Sequence, residues 1–161
     1  MPEQLQQGSA AEEAPEFGAV VVRVAAEVLE TMFFEEAVPS ACEHAWLAQA
    51  VSAQLSFDGS HCGEFLLSVS PDTARSIASG FLGVDPEEMS KTQPGEVVLE
   101  LANILCGALM STLWPESNLS LGTPELVNAG HRYPEDMHCC FSLPEGMVAV
   151  SIGLGSKDAF E

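Results

Sequence analysis

Glu100 and Asn103 stand three residues apart in VVLELANILCG (97–107), a run in which nearly everything else is apolar. Residues three apart on a helix project to one side, so this carboxylate and this carboxamide can address one external group together. A carboxylate accepts hydrogen bonds, and a carboxamide both donates and accepts them. Asn is otherwise a mediocre mid-helix residue, because its amide competes for backbone hydrogen bonds. Glu96, Glu100, Asn103 and Gly107 fall at i, i+4, i+7 and i+11, which makes one stripe along the helix. Gly107 offers almost no bulk, so another protein's surface could come close there. Taken alone, such a stripe is most often a solvated face, and a packed helix tolerates the small propensity cost of Asn103.

No other constellation competes strongly. His131, His138, Cys139 and Cys140 match no common metal-ligand spacing, and MHCCFSL alternates like a strand. GLGSKD near the C-terminus lacks the spacing of a phosphate loop and a helix to follow it. Met32, Met89, Met110, Met137 and Met147 read as core or turn residues, and no nucleophile has a recognisable partner pattern.

The elements that position the stripe follow from periodicity. The spacing predicts an amphipathic helix from Gly18 to about Ala37, closed by Pro39, with Val21, Val24, Ala25, Val28, Met32 and Phe33 inward. Val51, Ala53, Leu55 and Phe57 alternate with small polar residues, the period-2 mark of a half-buried strand. A turn beginning at Asp58-Gly59 leads to a second strand, HCGEFLLSVS. A short helix follows Pro71-Asp72, with Ala74, Ile77, Ala78 and Phe81 inward. The strongest element is a helix from about Gly95 to Leu113, with Thr92 or Gln93 as cap, Pro94 in its first turn and Trp114-Pro115 as its stop. Strand-like stretches NLSLGTPELV, MHCCFSL and GMVAVSIGL end the chain, and Pro144-Glu145-Gly146 suits an antiparallel turn. This order predicts an α+β fold, a mainly antiparallel sheet packed against two long helices and a short one.

With 161 residues the chain is long enough for one domain with its own core. Residues 1–17 are polar and acidic and read as a disordered leader, leaving 18–161 as a single domain. A net charge of −19 would repel phosphate backbones and anionic lipids, so nucleic acid and membrane are poor partners and a basic protein surface is a better one. Five cysteines, an odd number with no CxxC, argue against a disulfide framework or a zinc cage and fit a reducing cytoplasm. The N-terminus lacks a signal-peptide pattern, and no segment has the charge-free length of a bilayer span.

EVVLELANILCGALMSTL followed by LGTPELV resembles the signature of the CheC/CheX family of chemotaxis phosphatases. In that family an acidic or Ser position, a Glu four residues on and an Asn three beyond share a helix, with a Pro about two dozen residues later. Here these are Glu96, Glu100, Asn103 and Pro124. The likeness runs from AAEVLETMFFEEA through the C-terminal strands and is closer to the CheX-like members. CheC-like members carry a second Glu-xx-Asn on the first helix. Glu27-Val28-Leu29-Glu30 lacks the amide, so one site per chain is implied.

The resemblance implies hydrolysis of the aspartyl phosphate on a CheY-like response-regulator receiver. Asn103 would orient water, Glu100 would anchor the receiver's lysine, and Glu96, Gly107 and Pro124 would belong to the docking surface. No cofactor or metal is expected in this chain, Mg²⁺ being expected in the receiver. A homodimer is implied as well. The alternative is a non-catalytic receiver-binding adaptor or a flagellar-switch-type scaffold.

Overall fold

The computed structural model describes residues 18–41, 45–128 and 138–155. The predicted leader, Cys42, His131, Met137 and the end of GLGSKD lie outside them. The chain opens with helix α1 (18–32), shorter than the periodicity suggests. Phe34 ends it by taking a left-handed conformation (φ 60°), and the Leu29 carbonyl accepts the Glu35 amide at 2.9 Å across the turn. Pro39 therefore does not close the helix. It lies in strand β1 (Val38–Ser40), an edge strand that suits a residue without an amide proton.

A 3₁₀ turn at Ala45–Gln49 leads into β2 (Val51–Gly59) and β3 (Cys62–Val69), a hairpin in register from Val51 opposite Val69 to Phe57 opposite Gly63. Helices α2 (Pro71–Leu82) and α3 (Gln93–Leu113) follow, joined through a second 3₁₀ turn at Pro86–Glu88. The predicted NLSLGTPELV strand divides in two, β4 (Leu119–Leu121) and β5 (Glu125–Val127), on either side of Gly122, Thr123 and Pro124. Strands β6 (His138–Leu143) and β7 (Gly146–Gly155) finish the fold, with Leu143 opposite Gly146 across their turn.

Among the described residues the sheet has seven strands in the order β1-β6-β7-β3-β2-β4, with β5 also on β2, and every pairing is antiparallel. This is the predicted α+β architecture. Alternation sorts its faces. Ala53, Leu55 and Phe57, Phe65, Leu67 and Val69, and Val148, Val150 and Ile152 point into one core shared with all three helices. The opposite face is smaller and more polar. Leu47 covers Cys140 and Ala149 there, and the buried Ser52 and Ser68 hydroxyls bond at 2.8 Å. Phe81 departs from its predicted inward place: it stacks on Phe33 at 5.1 Å but remains 40% exposed.

Helix α3 is long and apolar enough to cross a membrane by length and composition. Eight of its residues, from Val97 to Met110, are instead buried in the domain, so its apolar side is the core's. Full burial of each Leu or Val among them contributes about 1.5–3 kcal/mol. That packing fixes the helix, and with it whatever the other side carries.

Candidate functional site: an exposed stripe on a core helix

At 100° per residue, Glu96, Glu100, Asn103 and Gly107 occupy an arc of roughly 60° on α3. Glu96, Glu100 and Asn103 are exposed and Gly107 is half-buried, while Val97, Val98, Leu101, Ala102, Leu105 and Cys106 between them are buried. Each stripe residue is thus flanked in sequence by side chains locked into the core. Among the described residues, the side chains of Glu96, Glu100 and Asn103 have no hydrogen-bond or ion-pair partner. Both carboxylates and the amide are left to solvent or a visitor.

One flank of the stripe is the β4–β5 segment. A Cβ on Gly95 would meet Leu126 at 3.0 Å, and one on Gly107 would meet Leu121 at 3.8 Å. The helix between these glycines spans about 18 Å, and Leu121 and Leu126, opposite Phe57 and Ala53 of β2, stand about 13 Å apart. Helix and segment therefore run side by side in opposite directions, which puts Pro124 level with the turn carrying Glu100. The segment stays on the sheet across its break because the Gly122 amide donates to the Ser56 carbonyl at 2.7 Å. All five residues singled out in the sequence consequently share one side of the domain.

Beyond Gly107 the stripe runs into a recess of about 180 Å³ at the C-terminal end of α3, lined in part by Gly107, Ser111, Trp114, Ser117, Leu119 and Leu121. Trp114 is fixed by His61, whose ring stacks on the indole at 4.0 Å and 14°, and by Phe57 at 6.2 Å. Trp114 reads in the sequence only as a helix stop. Its alignment with His61 depends on the β2–β3 turn meeting the helix end, which no local pattern signals. A second recess, about 240 Å³ beside α2, is lined by Asp72, Arg75, Ser76, Ser79, Pro86 and Glu145 and includes no stripe residue.

The cysteines divide. Cys106 is fully buried and its thiol is pushed up to about 12 by burial, as for a small hydrophobe; burial does the same to Cys139. Cys140 is disulfide-bonded, a departure from the reading of the cysteines as reduced, since an odd count says nothing about which pairs the fold brings together.

Comparison with known proteins bears on this arrangement. The family described as Chemotaxis phosphatase CheX matches residues 51–142, which include the whole stripe and Pro124. The chemotaxis protein CheX from Vibrio vulnificus superposes with a TM-score of 0.70 at 20% identity, covering 87% of this chain and 97% of the other. CheX in the CheX–CheY–BeF3–Mg²⁺ complex from Borrelia burgdorferi gives 0.66 at 20% identity, covering 86% and 97%. FliY from Thermotoga maritima gives 0.58 at 15% identity, covering 89% and 90%. No match was found among curated protein sequences.

Proposed function

We propose, from the premise that this chain belongs to the chemotaxis phosphatase CheX family, that it accelerates hydrolysis of the aspartyl phosphate on a CheY-like receiver domain. An aspartyl phosphate is an acyl phosphate that already reacts with water, so a catalyst need only place the water and hold the geometry. Water attacks phosphorus, the bond from phosphorus to the aspartyl oxygen breaks, and inorganic phosphate and a free carboxylate result. Asn103 orients the attacking water through its carboxamide, as a Gln does in GTPases. Glu100 pairs with a lysine of the receiver's pocket and so fixes the register of the inserted helix. Glu96 adds affinity at the rim, Gly107 admits the receiver's surface, and Pro124 shapes the flank. The Mg²⁺ belongs to the receiver, and this chain supplies no cofactor.

The observation that carries this reading is the pairing of an exposed, unengaged Glu100 and Asn103 with a helix anchored throughout by core residues. A CheY-like partner is supported by the Borrelia burgdorferi complex, which joins a CheX to a CheY. The domain works in the cytoplasm beside its receiver, where the Cys140 disulfide is open to reduction, and it pairs as a homodimer through the sheet edge at β1, whose three residues are all exposed. Light scattering tests the dimer: a monomer at micromolar concentration would refute it.

A second reading uses the same exposed stripe for a receiver-binding scaffold without hydrolytic activity; FliY and the FliM middle domain from H. pylori share the fold. Phosphate release decides between them. Every receiver from the same cell is phosphorylated and mixed with the chain. Accelerated release from one of them supports the phosphatase, and binding without acceleration supports the scaffold.

A further inference from the structure

We infer that the recess at the C-terminal end of α3 receives a basic side chain, Lys or Arg, from the protein that docks along the stripe. The inference rests on the docking reading above and adds a second contact point to it. The recess shares Gly107 with the stripe and continues to Ser111 and Trp114. Ser111 lies eight residues beyond Asn103, about 12 Å along the axis. A partner seated over Asn103 therefore reaches the recess with its periphery and not with its reacting centre.

Size and lining select the occupant. A volume of about 180 Å³ is below the usual range of small-molecule sites, about 300–1,000 Å³, and suits one long side chain. Leu119, Leu121 and the fixed Trp114 offer an apolar wall for a methylene stem, with an aromatic ring that attracts cations. The far end is electronegative. It is the carbonyl end of a 21-residue helix with no basic residue in its last turn. Pro115 stands four residues after Ser111 and has no amide proton, so the Ser111 carbonyl lacks its helical donor. The Ser111 and Ser117 side chains line the same recess. An acidic occupant would meet both the helix's negative end and a chain of net charge −19, and an apolar one would gain nothing from either. A Lys or Arg satisfies the wall and the carbonyl end together.

The test uses the full chain and a receiver held in its activated form by BeF3, with Kd from titration calorimetry and KM and kcat from phosphate release. Ser111→Lys puts this chain's own cation at an exposed position on the rim. It should raise Kd and KM tenfold or more, with the effect on KM rather than kcat. Ser111→Glu should tighten binding severalfold at low salt, and that gain should vanish at high salt. Equal weakening by both variants would mean that bulk, not charge, matters and would overturn the inference. So would no change in either, or a fall in kcat alone. If Asn103→Ala abolishes hydrolysis while both Ser111 variants behave as wild type, only the recess proposal fails. If the wild-type chain neither binds nor dephosphorylates any receiver, the docking reading fails with it.

Discussion

Gly107→Ala offers a test in which two readouts should move in opposite directions. A glycine inside a helix costs about 0.8–1.0 kcal/mol relative to alanine. Crowding within the domain would justify it, but the structure shows none: an added Cβ would sit 3.8 Å from Leu121, in ordinary contact. The substitution should therefore stabilise the isolated domain by about 1 kcal/mol, raising Tm by about 2–4 °C for a chain of this size. The reason for the glycine then lies outside the chain, in a partner that approaches the bare backbone. A methyl forced into such a contact costs about 1–3 kcal/mol, or roughly 5-fold to 150-fold in Kd. Thermal unfolding by circular dichroism reads the first effect, and calorimetry with a BeF3-activated receiver reads the second. A lower Tm would show that the helix itself needs the glycine. A higher Tm with unchanged binding would show that no partner touches it, and either result refutes the reasoning.

Asn103→Ala should cut phosphate release at least about a hundredfold, the usual cost of losing one catalytic hydrogen-bonding group, while receiver binding persists; release at the wild-type rate would remove the water-positioning role. Glu100→Ala should weaken both, because a receiver lysine left unpaired in the complex costs about 2–5 kcal/mol, measurable as a rise in Kd and KM. Leu101→Ala, at a position with no exposure, should cost about 2–5 kcal/mol, read as a lower urea midpoint. Burial raises the Cys106 and Cys139 thiols from 9.0 to about 12, so the unfolded chain loses those protons first. Their effect on stability should be flat below pH 9 and should fall as pH rises from 9 towards 12, a trend that denaturant titrations across that range would detect.

Elements defined by local repetition were legible in the sequence. Period-2 alternation in 51–57 and the broad apolar face of 97–109 located a strand and the principal helix, and the same periodicity placed Glu96, Glu100 and Asn103 on its wet side. What was missed depends on contacts between distant segments. The first helix stops early at a left-handed Phe34, an uncommon conformation for a bulky residue that no spacing rule anticipates. The stretch 119–127 breaks at Gly122–Pro124 because two short strands share one edge of β2. Phe81 stacks on the buried Phe33 from outside and stays 40% exposed, so it caps the core rather than entering it. The recess joins Trp114 from a helix end to Leu121 from a later strand, with His61 of a hairpin turn stacked on the indole, three segments with no shared pattern.

Glu100 and Asn103, the proposed reacting groups, line neither of these recesses and stand on the exposed face of a helix, which curves outward. Such a shape cannot enclose a small acyl phosphate or shield it from bulk solvent; the concavity has to be lent by the protein that carries the phosphoryl group. Free acetyl phosphate should accordingly decay at its spontaneous rate beside this chain. An inhibitor, for the same reason, would have to imitate the visiting pocket rather than fill one here.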